Sequence, residues 1–160
     1  MERKSLRADD FEMISKYSDM VYRMAYSLLK NKYDAEDVHQ DVFVRYLKKK
    51  PEFENTQHEK AWFLRVTVNL CKNFWKTAWR QKVVSLGEED LDRQFEMGPE
   101  ETEDEIIYTV KKLPQKYRVV IHLFYYEELS TDEIAKVLGM KPSAVRTQLT
   151  RARAKLKELL

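Results

Sequence analysis

The sequence predicts an all-α protein of two small helical domains joined by an acidic linker, the second domain closing in a helix-turn-helix. Three observations carry this expectation. Apolar residues recur at three- and four-residue steps through most of the chain, the spacing of one face of a helix. Only 3 Gly and 4 Pro occur in 160 residues, too few to punctuate the many short strands of a β fold. Charge is also distributed in blocks: residues 1–84 carry 17 Lys and Arg against 12 Asp and Glu, residues 85–105 carry 1 against 10, and residues 106–160 carry 11 against 5. Two basic blocks flank an acidic strip, and basic blocks are where a polyanion would sit.

The first helix is expected from Phe11 to Lys30, where Phe11, Ile14, Tyr17, Val21, Met24, Ala25 and Leu28 share a face. A second begins at Asp34, read as its N-cap, with Asp37 in the first turn where the helix dipole favours an anion. Ala35, Val38, Val42 and Tyr46 form its inner face, and Asp37, Gln40, Asp41 and Val44 its outer one. Pro51 breaks the pattern and opens a loop. Helix resumes from about Lys60 through Lys82, with Trp62, Phe63, Val66, Leu70, Phe74 and Trp75 at apolar positions.

Residues 85–105 hold two of the three glycines, one proline and no sustained period, so they are expected to form a solvated tether. The domains are accordingly placed at 1–84 and 106–160. In the second, Pro114 suits a first helical turn, and Tyr117, Val120, Ile121 and Phe124 line one face. Ser130 and Glu133 have capping-box spacing, Gly139 ends that helix, and Ser143 lies near the start of the last. With Val145, Leu149, Ala152 and Leu156 as the buried stripe, about 100° per residue puts Ser143, Arg146, Thr147, Thr150 and Arg151 on the outer half. These are side chains of the types that contact phosphates and base edges in a major groove.

Other classes find little support. His39, His58 and His122 are far apart in sequence, Cys71 is alone, and no P-loop, HExxH or GxSxG pattern occurs, so neither catalysis, a cofactor nor a metal is expected. No segment approaches the roughly 18 uninterrupted apolar residues of a spanning helix. The lone cysteine and the polar first residues point to the cytoplasm.

The segment from Leu113 to Leu160, "LPQKYRVVIHLFYYEELSTDEIAKVLGMKPSAVRTQLTRARAKLKELL", resembles the C-terminal domain of bacterial sigma factors of the extracytoplasmic-function (ECF) group. "DAEDVHQDVFVRYL" is similar to their polymerase-docking segment and "AWFLRVTVNLCKNFWKTAWRQK" to their promoter-melting segment. The resemblance implies a dissociable subunit that binds core RNA polymerase and promoter DNA, and it makes an anti-sigma factor a further expected partner. It assigns Asp37, Gln40 and Asp41 to polymerase docking, and Arg65, Asn69, Lys72, Lys76 and Arg80 to the melted −10 strand. The loop from Phe53 to Lys60 is implied to capture a flipped base. Ser143, Arg146, Thr147, Thr150 and Arg151 fall to the −35 element.

The chain departs from the family pattern at Asn73, where Asp is common, and at Gln148, where Arg is common in the recognition helix; Gln148 could read adenine or weaken a phosphate contact. His39 is polar where an apolar residue is usual, though at the edge of the buried face. The competing expectation is a stand-alone helix-turn-helix regulator that never joins the polymerase and leaves the acidic outer face of residues 37–41 without a role.

Overall fold

The computed structural model describes residues 8–85 and 105–160, and within these the regular elements are all helical. They are α1 (Ala8–Leu29), α2 (Lys32–Lys49), α3 (Thr56–Ser85), α4 (Glu105–Lys111), α5 (Gln115–Ile121), a π-helical turn (His122–Tyr126), α6 (Thr131–Leu138) and α7 (Pro142–Leu159). The acidic tether, apart from its two end residues, lies outside the described residues.

Helices α1, α2 and α3 bury their apolar faces on one another around Phe63, which is fully buried. Its ring stacks on Tyr17 at 4.6 Å between centroids and touches Trp62, Tyr46 and Phe43 at 5.0, 5.4 and 5.6 Å. The expected inner face of α2 is confirmed, since Ala35, Val38, Val42 and Tyr46 are all buried. Two boundaries differ from expectation. Asn31, rather than Asp34, caps α2 by accepting from the Tyr33 and Asp34 amides at 2.9 and 3.1 Å, which puts Asp34 inside the first turn. Helix α3 starts at Thr56, ahead of Lys60, because the Asn55 side chain accepts from the His58 amide at 2.8 Å and the Asn55 carbonyl from Glu59 at 3.1 Å.

In the C-terminal half, Pro114 is the N-cap of α5 rather than a member of its first turn. Ser130 and Glu133 make the capping box in both directions, at 3.1 and 2.9 Å, and Gly139 closes α6 with φ +66°. Val145, Leu149 and Ala152 are buried on α7 and Leu156 partly so, as the stripe requires.

Among the described residues, three other positions adopt the left-handed conformation: Lys30, Lys50 and Glu128 at φ 59°, 42° and 57°. For an L side chain this costs ~1–2 kcal/mol, partly balanced by the ~0.5–1 kcal/mol that glycine loses in chain entropy. Glu128 is exposed, so Glu128→Gly is expected to raise stability by ~0.5–1 kcal/mol in urea unfolding. A fall in stability would mean that its side chain offsets the strain.

Cys71 is fully buried, and burial pushes its thiol up to about 12, only partly opposed by the nearby Arg118 charge. Labelling of the native protein by iodoacetamide at pH 8 is therefore expected to be at least ~100-fold slower than in urea. Equal rates would place Cys71 at the surface.

Candidate nucleic-acid and partner interfaces

The residues singled out in the sequence fall into three exposed stripes on three helices. On α2, Asp37 and Gln40 are exposed and Asp41 is half-exposed, paired with Arg45 one turn on at 3.4 Å. Helical spacing extends this stripe to Tyr33 and Val44, which are 74% and 39% exposed. Two apolar side chains thus flank an acidic-polar centre, a composition suited to a protein partner. Tyr33 was not anticipated, although the 3.6-residue period places it four residues before Asp37.

On α3, Arg65, Asn69, Lys72 and Lys76 are exposed at steps of four, three and four residues, forming one basic line along the helix. Arg80 continues this register in sequence, but its side chain lies outside the described residues. Trp62 is half-buried against Phe63, Phe53 and Tyr46, with ring centroids 5.0, 6.0 and 6.2 Å away. Phe74 and Trp75 are also half-buried, so none of the three is a free stacking platform.

On α7, Ser143, Arg146, Thr147, Thr150 and Arg151 are all exposed. The Thr147 and Thr150 hydroxyls donate to the carbonyls of Ser143 and Arg146 at 3.1 and 3.0 Å, which orients their remaining lone pairs. Arg146 and Arg151 make no ion pair among the described residues, leaving both guanidinium groups to solvent. Arg153 is different: its Nε donates to the Tyr125 hydroxyl at 2.8 Å and its guanidinium lies over the Phe124 and Tyr125 rings. Gln148 is half-buried, and its Oε1 is enclosed without a partner. That oxygen is one half of a bidentate adenine contact, and here it is turned toward the protein.

The two halves meet along a seam that sequence reasoning missed. Glu127, which follows the π-helical turn, receives Arg23 from α1 at 2.8 and 3.3 Å through both carboxylate oxygens. His122 pairs with the same carboxylate at 2.7 Å, and Lys60 of α3 donates to the Glu127 carbonyl at 2.7 Å. The π turn makes the His122 pair feasible, because residues five apart lie about 140° apart around an α-helix. Burial pushes the Glu127 carboxyl up, but the hydrogen bonds from His122 and Arg23 outweigh it and hold the group below the usual carboxylate range.

Arg118 of α5 crosses the same seam. It is 2% exposed and donates to the carbonyls of Lys111, Leu113 and Leu28 at 3.1, 2.7 and 2.9 Å. The Lys111 and Leu28 carbonyls belong to the ends of α4 and α1, where backbone acceptors lack partners and the helix dipole is negative, and the Leu113 carbonyl to the loop before α5. Burial lowers Arg118 to about 10, which leaves it cationic at neutral pH. Beside the seam, a cleft of about 410 Å³ runs between the loop and start of α3 (Asn55, His58, Trp62, Arg65) and α6 (Glu133, Lys136).

Comparison with known proteins accounts for this arrangement. The model of sigma-70 region 2 matches residues 13–81, and that of sigma-70 region 4 matches residues 103–156. RNA polymerase sigma factor SigZ of Bacillus subtilis is 30% identical over 78% of this chain and 72% of its own length. The chain belongs to the sigma-70 family. Within it, this sigma factor falls in the ECF group: ECF sigma factor SigE of Mycolicibacterium smegmatis is 31% identical over 93% of the chain, which spans 60% of that relative. ECF sigma factor SigW of Bacillus subtilis is 29% identical, with 93% and 87% covered. The fold matches RpoE of Bartonella quintana, solved with the anti-sigma factor NepR, at a TM-score of 0.72 and 20% identity over 96% of this chain and 97% of that one. It also matches CnrH, solved with the cytosolic domain of CnrY, at 0.66 and 24% over 94% and 86%. Membership of this family favours an initiation factor over a stand-alone regulator.

Proposed function

We propose that this sigma factor docks on core RNA polymerase through the α2 stripe of Asp37, Gln40 and Asp41, and contacts the −10 strand through Arg65, Asn69, Lys72, Lys76 and Arg80. The −35 element is read by Ser143, Arg146, Thr147, Thr150 and Arg151, with α6 and α7 as the helix-turn-helix. Residues 1–84 and 106–160 act as the two domains and residues 85–105 as their tether. The observation that carries this reading is the coincidence of chemistry and exposure: the docking stripe is acidic and flanked by apolar side chains, whereas both DNA stripes are basic. The protein works as an initiation factor in the cytoplasm, without catalysis of its own, and an anti-sigma factor, as NepR is to RpoE, is a further partner. Among the described residues, no helix is long and apolar enough to cross a membrane.

Co-migration with core polymerase on gel filtration tests the docking role. Changing Asp37, Gln40 and Asp41 together to Ala is expected to weaken association by at least ~10-fold, equivalent to ~1.4 kcal/mol, with the circular dichroism of the wild type retained. Undiminished association of the folded variant would return this face of α2 to ordinary solvation, whereas a wild type that does not co-migrate would favour the stand-alone regulator.

A further inference from the structure

A pocket of about 160 Å³ opens between α1 and the first elements of the C-terminal half, and no role assigned above uses it. Its wall is almost entirely carbon, with Tyr26, Val110, His122 and Tyr126 among the residues that line it. An apolar cavity of about 150 Å³ is large enough to hold one benzene molecule, so this one fits a single six-membered ring with a small substituent. The walls are also held in place. Lys111 donates to the Tyr26 hydroxyl at 3.0 Å, and its ammonium lies 4.4 Å from the centre of that ring. His122 stacks on Tyr126 with ring centroids 5.2 Å apart, and Glu127 fixes the imidazole at 2.7 Å. Turning either tyrosine to close the pocket would break these contacts, so the space is preformed and a ligand need not order it.

We propose that this pocket binds a small aromatic carboxylate, with the ring among Tyr26, Val110 and Tyr126 and the carboxylate toward Arg23 and Lys111. Aromatic walls favour a ring over an aliphatic chain of equal size, because offset-stacked and edge-to-face pairs add to the area buried. Charge selects the head group. Arg23 and Lys111 also line the pocket, and no acidic residue does. Glu127 accepts from the Nε and one Nη of Arg23, and the second Nη makes no hydrogen bond among the described residues. Because 47% of the Arg23 side chain is exposed, an anion beside it keeps part of its water while the ring is withdrawn from solvent. None of these residues belongs to the polymerase or DNA stripes, so occupancy can be measured without either partner.

The full chain is titrated with sodium benzoate at neutral pH and followed by two-dimensional amide NMR. Benzamide serves as the neutral isostere and acetate as the anion without a ring. Benzoate is expected to shift the Val110, Lys111 and Tyr126 amides saturably, with a dissociation constant on the order of 1 mM, the range open to a ligand of about nine non-hydrogen atoms. Benzamide should bind at least ~5-fold more weakly, and acetate should give no saturable shift. At ten times its dissociation constant, benzoate should raise the melting temperature by about 3–6 °C. Ser27 lines the same pocket, so Ser27→Leu fills it and should abolish both effects with wild-type helix content retained. Nuclear Overhauser contacts from the benzoate ring to the Val110 methyl groups locate the site in the wild type, whatever the variant does. No saturable shift up to about 20 mM benzoate, equal affinity for benzamide, Overhauser contacts that map elsewhere, or undiminished binding by folded Ser27→Leu would each overturn the site.

Discussion

Replacing Arg146 and Arg151 together by Ala is expected to weaken binding to a −35 duplex by ~2–4 kcal/mol, roughly 30- to 1000-fold, the largest functional loss available from two surface positions. Both side chains stand exposed on α7, so the argument is electrostatic. Each guanidinium that neutralises a phosphate releases counterions, and losing two such contacts should lower the slope of log affinity against log salt by about two units. Stability should hardly change, because neither side chain is packed. The check is a salt titration by fluorescence anisotropy beside a thermal melt. An unchanged salt slope in a folded double variant would remove both residues from the DNA face and leave them as solvating charges near a helix surface.

The second large effect is on folding. Arg118→Ala is expected to cost ~3–5 kcal/mol, because it empties a large buried volume and strands the carbonyls of Lys111, Leu113 and Leu28. At this chain length that corresponds to a melting temperature lower by roughly 6–20 °C. Arg118→Met fills much of the volume without burying a charge, so its deficit should be smaller and come mainly from the unpaired carbonyls. Denaturant unfolding of both variants separates these causes. A loss below ~1 kcal/mol in Arg118→Ala would mean that water replaces the guanidinium at little cost.

These two arginine sites also show what can be read from a sequence of this kind. The outer faces of α2, α3 and α7 were legible because exposure follows helical period and residue type: Gln40, Lys72 and Arg146 all emerge where 3.6-residue spacing puts them. Caps were less so. Asp34 and Asn31 are both good capping residues three positions apart, and only the backbone angles decide between them. Gln148 left two readings open, an adenine contact or a weakened phosphate contact, and its enclosed Oε1 reflects a position beside Leu149 on the flank of the buried stripe. The seam was invisible. Arg23 and Glu127 are 104 residues apart, and an arginine on a mostly polar helix face looks like any other until its partner is in place. Arg118, set in an otherwise apolar run, breaks the pattern without naming the carbonyls it serves.

The π-helical turn gives that seam a tolerance of chain length that its charges alone would not show. Such a turn holds one residue more than an α-helical turn, so deleting a single residue within 123–126 would restore ordinary pitch and leave Glu127 four places after His122, only about 40° away around an α-helix. The pair of His122 with Glu127 would therefore survive on one helix face, and α6, Gly139 and α7 would keep their own caps and stripe. The extra residue is thus one that a single-codon deletion removes without a change in any charged side chain, and a relative with an uninterrupted α-helix at this place can keep the same buried pair.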